Sequence, residues 1–247
     1  MANGYETDAG EGGTYHVPTY ARLGQGGLFV PARARARSDE GAGCRVAIYA
    51  GTGTHTVINA IEAHGGECIV VQSAAEAARL GFTHLVLLGG SDIGTGLYGQ
   101  ARRNAGAPDK ARDHVEWILV RRALAERLPT FGICRGHQML AAASGGSLWQ
   151  DIAQDMGVQH ASSTHTIRAY GPLAKRLGHG RAHTVNSYHH QAVSAVPYGF
   201  DVAAEAPDGV VEAIWRPGAL GVQWHPELMD STTQLDSLLR WLFVGLS

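Results

Sequence analysis

The sequence contains little cysteine, almost no net charge and no long apolar segment. Its three cysteines, Cys44, Cys68 and Cys134, form no C-x-x-C pair, which argues against a disulfide framework or a zinc site built on such pairs and is typical of reduced thiols. No segment approaches the roughly 20 apolar residues that a membrane-spanning helix needs. The first ten residues (MANGYETDAG) lack the basic and apolar regions of a signal peptide. We therefore expect a cytoplasmic protein without a membrane segment.

The charges are nearly balanced, with 20 Lys and Arg against 22 Asp and Glu, which gives a formal net charge of -2. A protein dedicated to nucleic acid is usually basic, so this balance argues against nucleic acid as a partner. Hydrophobic residues make up 45% of the 247 residues and charged residues 17%. This composition excludes global disorder and is sufficient for a sizeable core.

Residues 1–43 differ in composition from the rest of the chain. They contain nine glycines, several polar clusters and an alternating Ala-Arg run at 32–37. Such a segment buries little apolar surface, which predicts a flexible N-terminal arm. We expect the remaining residues, 44–247, to form one domain, because they contain neither an internal repeat nor a second change in composition.

Short apolar runs alternate with helical patterns from residue 44 onward. Strands are predicted at 45–50, 68–71, 84–88 and 129–133, with helices at 55–64, 73–80 and 109–127 between them. This alternation predicts an α/β fold in three layers, with a mostly parallel central sheet and helices on both of its faces. The later part of the chain is richer in strands. A hairpin is predicted at 200–215, a further strand at 220–224 and a closing helix from about 231.

One segment, Phe131 to Gln138, carries the strongest chemical signal. An apolar strand ends at Cys134, a helix rich in small residues follows at once, and Gly132 and Gly136 flank the cysteine. A nucleophile elbow has this pattern, because a tight strand-to-helix turn exposes the nucleophile and leaves no room for side chains beside it. The helix N-terminus favours the thiolate, and backbone N–H groups at the turn can stabilise an oxyanion. The alternative is a buried core thiol at a strand end.

Two further segments supply groups that such a thiol would need. His225 follows a predicted strand and Glu227 lies two residues later, so the pair offers an imidazole and a carboxylate to orient it. The loop 89–92 (Gly-Gly-Ser-Asp) ends the third strand, where ligands of open parallel sheets bind. A surface turn and a plain strand-ending turn are the respective structural alternatives.

Taken together, the motifs resemble the class I glutamine amidotransferase superfamily. Within it, the chain is most similar to the γ-glutamyl hydrolase-like (γ-glutamyl-γ-aminobutyrate hydrolase-like) branch, whose members cleave γ-glutamyl amides. The resemblance extends from about residue 46 to the C-terminus. It rests on four ordered motifs: Gly89-Gly90-Ser91, 132–138 (GICRGHQ), 185–193 (VNSYHHQAV) and 221–227 (GVQWHPE).

The resemblance implies a role for each matching residue. Cys134 would be the nucleophile, His225 the base and Glu227 its orienting partner, with a γ-glutamyl thioester as the intermediate. Gly90 and Arg135 would form the oxyanion hole with their backbone N–H groups. The implied substrate-binding residues are Gly89, Ser91, Gln138, Ser187, Tyr188, His189, His190 and Gln191. No cofactor is implied.

Three functions stay open at this point. A free-standing hydrolase of a small γ-glutamyl substrate is favoured by Arg135 and the Asn-Ser-Tyr-His-His-Gln motif. A glutaminase that passes ammonia to a separate synthetase is the second interpretation, since His137 gives the Gly-His-Gln form familiar from such subunits. A catalytically silent scaffold is the third. The sequence leaves both a synthetase partner and a homo-oligomer open. We expect no metal, because His189 and His190 have no third ligand at a suitable spacing.

Overall fold

The computed structural model describes residues 41–161, 163–178, 182–231 and 233–244. The predicted arm, 1–43, lies outside the described residues except for its last three, so its boundary stays a prediction. Within the described ranges, no helix combines the length and the apolar character that crossing a bilayer requires.

Strands and helices alternate through the first half of the described chain, as predicted. The strands are β1 (Arg45–Ile48), β2 (Glu67–Val70), β3 (His84–Leu87), β4 (Thr130–Ile133), β5 (Ser147–Trp149), β6 (Ser163–Ala169), β7 (His183–Ser187), β8 (Ala192–Ala195), β9 (Asp201–Glu205), β10 (Val211–Arg216) and β11 (Ala219–Val222). The helices are α1 (Thr54–Ala63), α2 (Ala74–Arg79), α3 (Lys110–Glu126), α4 (Arg135–Ala143), α5 (Ile152–Met156), α6 (Gly171–Leu177) and α7 (Thr233–Val244).

The strands join in one sheet with the order β2-β1-β3-β4-β11-β10-β9-β6-β7. The first five strands in this order are mutually parallel, and the sheet then continues with antiparallel neighbours. Strand β8 pairs with β10 and β5 beside this path. The predicted hairpin at 200–215 is confirmed as the antiparallel pair β9–β10.

Helices cover both faces of the parallel strands, which explains their continuous apolar runs. Successive residues of β1 point to opposite faces: Val46 and Ile48 join a buried cluster with residues of α1 and α7, whereas Ala47 joins a second cluster with residues of α3 and α4. The predicted three-layer architecture is therefore confirmed. The sequence pattern did not predict β5 to β8. Strands β6 and β7 consist mostly of polar residues, so they show no apolar run.

Close packing between β3, β4 and α4 determines where the strand-to-helix turn lies. A Cβ added at Gly132 would lie 2.5 Å from the carbonyl oxygen of Gly136, and one added at Gly136 would overlap the carbonyl group of Leu87. Both contacts involve backbone atoms, which cannot move aside without shifting the strand. Glycine at these two positions therefore allows α4 to start directly against the sheet.

Replacing Gly136 by alanine should destabilise the protein by about 1–3 kcal/mol, because the new methyl group overpacks the contact with β3. The matched control is Gly96→Ala, since Gly96 is exposed and a Cβ there would contact nothing within 4 Å. That substitution should stabilise the protein by about 0.4–1 kcal/mol by restricting the unfolded chain. Urea unfolding of the two variants checks the prediction, and equal effects would contradict it.

Candidate active site

The parallel register brings the three predicted motifs to one edge of the sheet. Gly132 of β4 pairs with Leu87 of β3 on one side and with Gly221 of β11 on the other. The three strands therefore end at the same level. The loop from residue 89 follows β3, Cys134 follows β4, and His225 comes three residues after β11 ends. Topology explains why motifs that lie far apart in the chain become neighbours.

Cys134 occupies a strained backbone conformation at this edge. Its φ of 52° is positive, which is costly for a residue with a side chain and typical of a functional site. The conformation is held from both sides. The backbone N–H of Cys134 donates to Val222 (2.8 Å), and α4 begins at the next residue. The side-chain amide of Gln223 lies 3.7 Å from the sulfur. The turn thus has the geometry predicted for a nucleophile elbow.

His225 is fixed by three sets of contacts. Its Nδ1 lies 2.6 Å from Oε1 of Glu227. Asn186 holds the backbone on both sides, accepting from the His225 N–H and donating to its carbonyl oxygen, each at 2.8 Å. A Cβ at Gly89 would lie 2.5 Å from the imidazole carbon Cε1, so glycine at 89 makes room for the ring. The sequence motif that contains Asn186 predicts no role for this residue, whereas in the structure it holds the backbone of His225.

The charges around His225 favour its protonated form. Burial alone would lower its pKa, but the hydrogen bonds and negative charges of Cys134 and Glu227 outweigh burial and raise the pKa of His225 to about 10. The imidazole therefore lies between a sulfur and a carboxylate that both stabilise its positive charge. Such an arrangement can hold a thiolate–imidazolium ion pair at neutral pH. By contrast, burial raises the pKa of Cys44, and burial together with nearby carboxylates raises that of Cys68 to about 12.

Charged residues of α3 form a buried network beneath the site. Arg135, only 1% exposed, has its guanidinium 2.6 Å from Asp113 and in contact with Glu116. Glu116 also pairs with Arg112 at 2.9 Å, and Arg112 donates to the carbonyl oxygen of Leu88 at 2.8 Å. Two cations and two carboxylates thus balance each other without solvent.

The network links the loop after β3 to the residue after Cys134. At one end Arg112 bonds Leu88, and Asp113 accepts from the backbone N–H of Gly94 at 2.8 Å. At the other end lies Arg135, whose backbone begins α4. Asp109 caps α3, accepting from the backbone N–H of Arg112 at 3.0 Å, whereas the side chains of Arg112 and Asp113 are part of the network.

The predicted substrate-binding residues divide into exposed and buried groups. Tyr188 is 53% exposed and its ring centroid lies 5.9 Å from that of His225. His190 is partly exposed and lies 2.8 Å from Asp92. The members with a buried side chain or backbone are Gly89, Gln138, Ser187, His189 and Gln191, whereas Ser91 is exposed. The side-chain amide of Gln138 donates to the carbonyl oxygen of Gln191 (3.1 Å) and to Oε1 of Gln223 (3.3 Å). The motif 132–138 therefore contacts both the 185–193 motif and the 221–227 motif directly.

The family model described as Peptidase C26 matches residues 47–227. Protein NtpR of Enterococcus hirae is 31% identical over 205 residues, which cover 76% of this chain and 86% of that protein. Gamma-glutamyl-gamma-aminobutyrate hydrolase PuuD of Escherichia coli K12 is 34% identical over 168 residues, which cover 60% of this chain and 65% of that enzyme.

Solved structures support the same fold. A glutamine amidotransferase from Thermotoga maritima superposes with a TM-score of 0.57 at 17% sequence identity, covering 80% of each chain. This likeness concerns the fold alone. The chain spans less than two thirds of the Escherichia coli hydrolase that it matches, so that enzyme's activity does not transfer to it directly.

Replacing Glu116 by glutamine should lower the free energy of unfolding by about 3–5 kcal/mol, because two buried guanidinium groups lose a shared carboxylate. The control is Glu126→Gln on the same helix, where the ion pair with Arg122 is long (3.5 Å) and Glu126 is 48% exposed. Removing that pair should cost less than about 1 kcal/mol. Urea unfolding of both variants provides the measurement, and similar losses would argue against the network.

Glu227→Gln should slow alkylation of Cys134 by iodoacetamide at pH 6.5 by about 10-fold or more, since each unit by which the pKa of His225 falls makes the ion pair about 10-fold less stable. Alkylation should become slower and not faster, because the ion pair needs a protonated His225 and a deprotonated thiol. The Glu227 carboxylate raises the pKa of His225 and so stabilises the protonated imidazole. Peptide mass spectrometry of a pH series gives the rate at each cysteine. Cys44 and Cys68 are internal controls, because their raised pKa values keep them as thiols. An unchanged profile for Cys134 would contradict the prediction.

Proposed function

Because the chain belongs to the peptidase C26 family, we propose that it is a cysteine-dependent hydrolase of γ-glutamyl amides with Cys134 as its nucleophile. The observation that carries the proposal is the strained Cys134 turn beside the His225–Glu227 pair, whose Nδ1–Oε1 distance is 2.6 Å. A thiol, an imidazole and an orienting carboxylate are the groups that acyl transfer through a covalent intermediate requires.

In the proposed reaction, the Cys134 thiolate attacks the γ-carbonyl carbon of the substrate and a tetrahedral intermediate forms. His225 donates its proton to the leaving amine, the carbon–nitrogen bond breaks, and a γ-glutamyl thioester remains on the sulfur. His225, now neutral, removes a proton from a water molecule that attacks the thioester. Glutamate leaves and the thiolate–imidazolium pair is restored. Glu227 keeps the imidazole in one tautomer and orientation throughout, as the short contact with Nδ1 favours.

The oxyanion hole is proposed to consist of the backbone N–H groups of Gly90 and Arg135. Arg135 is the first residue of α4, and N–H groups in a first helical turn have no acceptor within the helix. Gly90 follows β3 at the adjacent strand end and lies against Arg112 of the buried network. Each donor of this type typically contributes about 3–4 kcal/mol to transition-state stabilisation. The network would therefore act by keeping two backbone donors at a constant separation.

The substrate is proposed to enter beside Tyr188 and His190, which are the more exposed members of the 187–191 segment. Tyr188 packs edge-on against His225, so a group bound against its ring would lie next to the proposed acid. The proposed hydrolysis uses residues of this chain alone, so the proposal includes no synthetase partner. His137, whose presence suggested that alternative, is fully buried.

The purified protein alone should release glutamate from at least one member of a panel of γ-glutamyl amines, tested together with glutamine. Cys134→Ala should lower kcat/KM by about 10³-fold or more, because both covalent steps are lost. Cys68→Ala is the matched control, since that thiol lies on β2, away from the site, and its removal should leave the activity within 2-fold of the parent.

Two outcomes would redirect the proposal. Hydrolysis that survives in Cys134→Ala would exclude Cys134 as nucleophile. An inactive protein in which iodoacetamide still labels Cys134 rapidly would favour the ammonia-donating glutaminase, whereas an inactive protein with an unreactive Cys134 would favour the silent scaffold.

A further inference from the structure

Three histidines and a glutamate lie close together around Glu212 of β10. We call this group the His-Glu cluster: His160 before β6, His165 on β6, His189 after β7 and Glu212 on β10. Glu212 is 0% exposed, and His160 and His189 are 3% and 4% exposed. The proposed reaction uses none of these side chains as acid, base or nucleophile, so their burial together requires a separate explanation.

The donor atoms of the cluster have the spacing of a metal coordination shell. Nδ1 of His160 lies 3.1 Å from Oε1 of Glu212 and 3.3 Å from Nε2 of His189, and the latter atom lies 3.5 Å from the same Oε1. Bonds of 2.0–2.1 Å to a tetrahedral zinc ion place neighbouring ligand atoms about 3.3 Å apart. Nε2 of His165 also lies 3.2 Å from Oε1 of Glu212, but His165 is not one of the three residues whose donor atoms are all mutually close.

Outer contacts point the unprotonated nitrogens of two rings into the cluster. His189 Nδ1 lies 2.9 Å from the carbonyl oxygen of Gln191, so Nδ1 carries the proton. His160 Nε2 lies 2.8 Å from the carboxylate of Asp208, so Nε2 is its protonated atom. When both rings are neutral, the remaining nitrogens, His160 Nδ1 and His189 Nε2, face each other and the Glu212 carboxylate with lone pairs. Three lone-pair donors at such distances repel unless a cation lies among them, and imidazoles held by a carbonyl or a carboxylate are typical of metal sites.

A second observation supports a cation at this point. Oε2 of Glu212 is buried and has no hydrogen-bond partner among the described residues. Buried polar atoms without partners are rare and costly. A proton added to Nδ1 of His160 would relieve its contacts with Glu212 and His189 but would leave the contact between His189 and Glu212, and Oε2 of Glu212, unsatisfied.

We propose that His160, His189 and Glu212 bind a divalent transition-metal ion of the zinc class. Imidazole ligands favour such an ion over Mg²⁺ and Ca²⁺, which prefer oxygen ligands. The expectation of no metal rested on the lack of a third ligand near His189 and His190 in the sequence. The additional ligands, His160 and Glu212, come from distant parts of the chain, and His190 contacts Asp92 instead.

The metal would hold the 187–191 segment in place. His189 lies inside that segment, and Ser187 donates to the carbonyl oxygen of His160. A metal bound by His160, His189 and Glu212 would therefore hold the segment at Ser187 and at His189 and connect it to β10. Glu212 accepts at its carbonyl oxygen from the N–H of Gln223 (2.7 Å), whose side chain contacts Cys134. This consequence rests on the proposed function and predicts a raised KM, with a smaller effect on kcat, when the metal is removed. The binding test below does not depend on it.

Full-length, tag-free protein treated with a chelator should take up one equivalent of Zn²⁺ per chain, measured by inductively coupled plasma mass spectrometry after gel filtration. Co²⁺ should give the visible absorption bands of a tetrahedral site. Glu212→Gln and His189→Gln should lower uptake to less than about a tenth of an equivalent. His114→Gln is the matched control, because His114 is exposed on α3 away from the cluster, and it should bind as the parent does.

Folding of each variant is checked by circular dichroism. Should Glu212→Gln fail to fold, Asp208→Asn keeps the test decisive, because Asp208 is one-third exposed and only orients His160. Losing such an outer partner should weaken Zn²⁺ binding by about 10- to 100-fold. Binding of less than a tenth of an equivalent by the parent, or equal binding by the parent and the folded cluster variants, would overturn the proposal.

Discussion

The buried ion pairs of Arg135 are the interaction on which the geometry of the site depends. They join the residue after Cys134 to α3, and through Arg112 and Asp113 to the loop after β3. Burying four charges is expensive, and an apolar replacement of the same volume would often be no less stable. A network of this kind fixes the relative position of its members instead of adding stability. Each guanidinium binds a carboxylate in only a few orientations, so the two strand ends that carry the proposed oxyanion donors are held in one relative position.

The same edge of the sheet contains strain that the surrounding packing offsets. The positive φ of Cys134 typically costs on the order of 1–3 kcal/mol. The N–H of Cys134 donates to Val222, and Gly132 and Gly136 approach each other closely. These contacts restrict the backbone at Cys134 to this conformation. Rigid neighbours therefore turn an unfavourable conformation into a fixed one. This explains why the turn at Cys134 lies at the end of β4, with the buried strands β3 and β11 on either side, and not in a flexible loop.

Much of this arrangement could be predicted from sequence, and the remainder could not for definite physical reasons. The elbow and the three-layer fold depend on local patterns: apolar runs, helix periodicity and glycines around Cys134. The role of Glu116 depends on which charged groups meet in the interior, and its i,i+4 spacing to Arg112 equally fits a solvated helix face. The antiparallel pair β6–β7 is polar, so its pairing leaves no apolar alternation. The His-Glu cluster joins residues from three separate segments, and no spacing rule relates them.

One short segment connects the two chemical centres. Asn186 at the end of β7 clamps the backbone of His225, whereas His189, three residues later, faces Glu212. The side chain of Ser187 between them bonds the carbonyl of His160. Any cation that fixes His160 and His189 therefore restrains the segment that positions His225. Cys134, His225 and Glu227 are not among the proposed metal ligands, so coupling between the two centres would act through the backbone of 186–189 and would change positions more than protonation states.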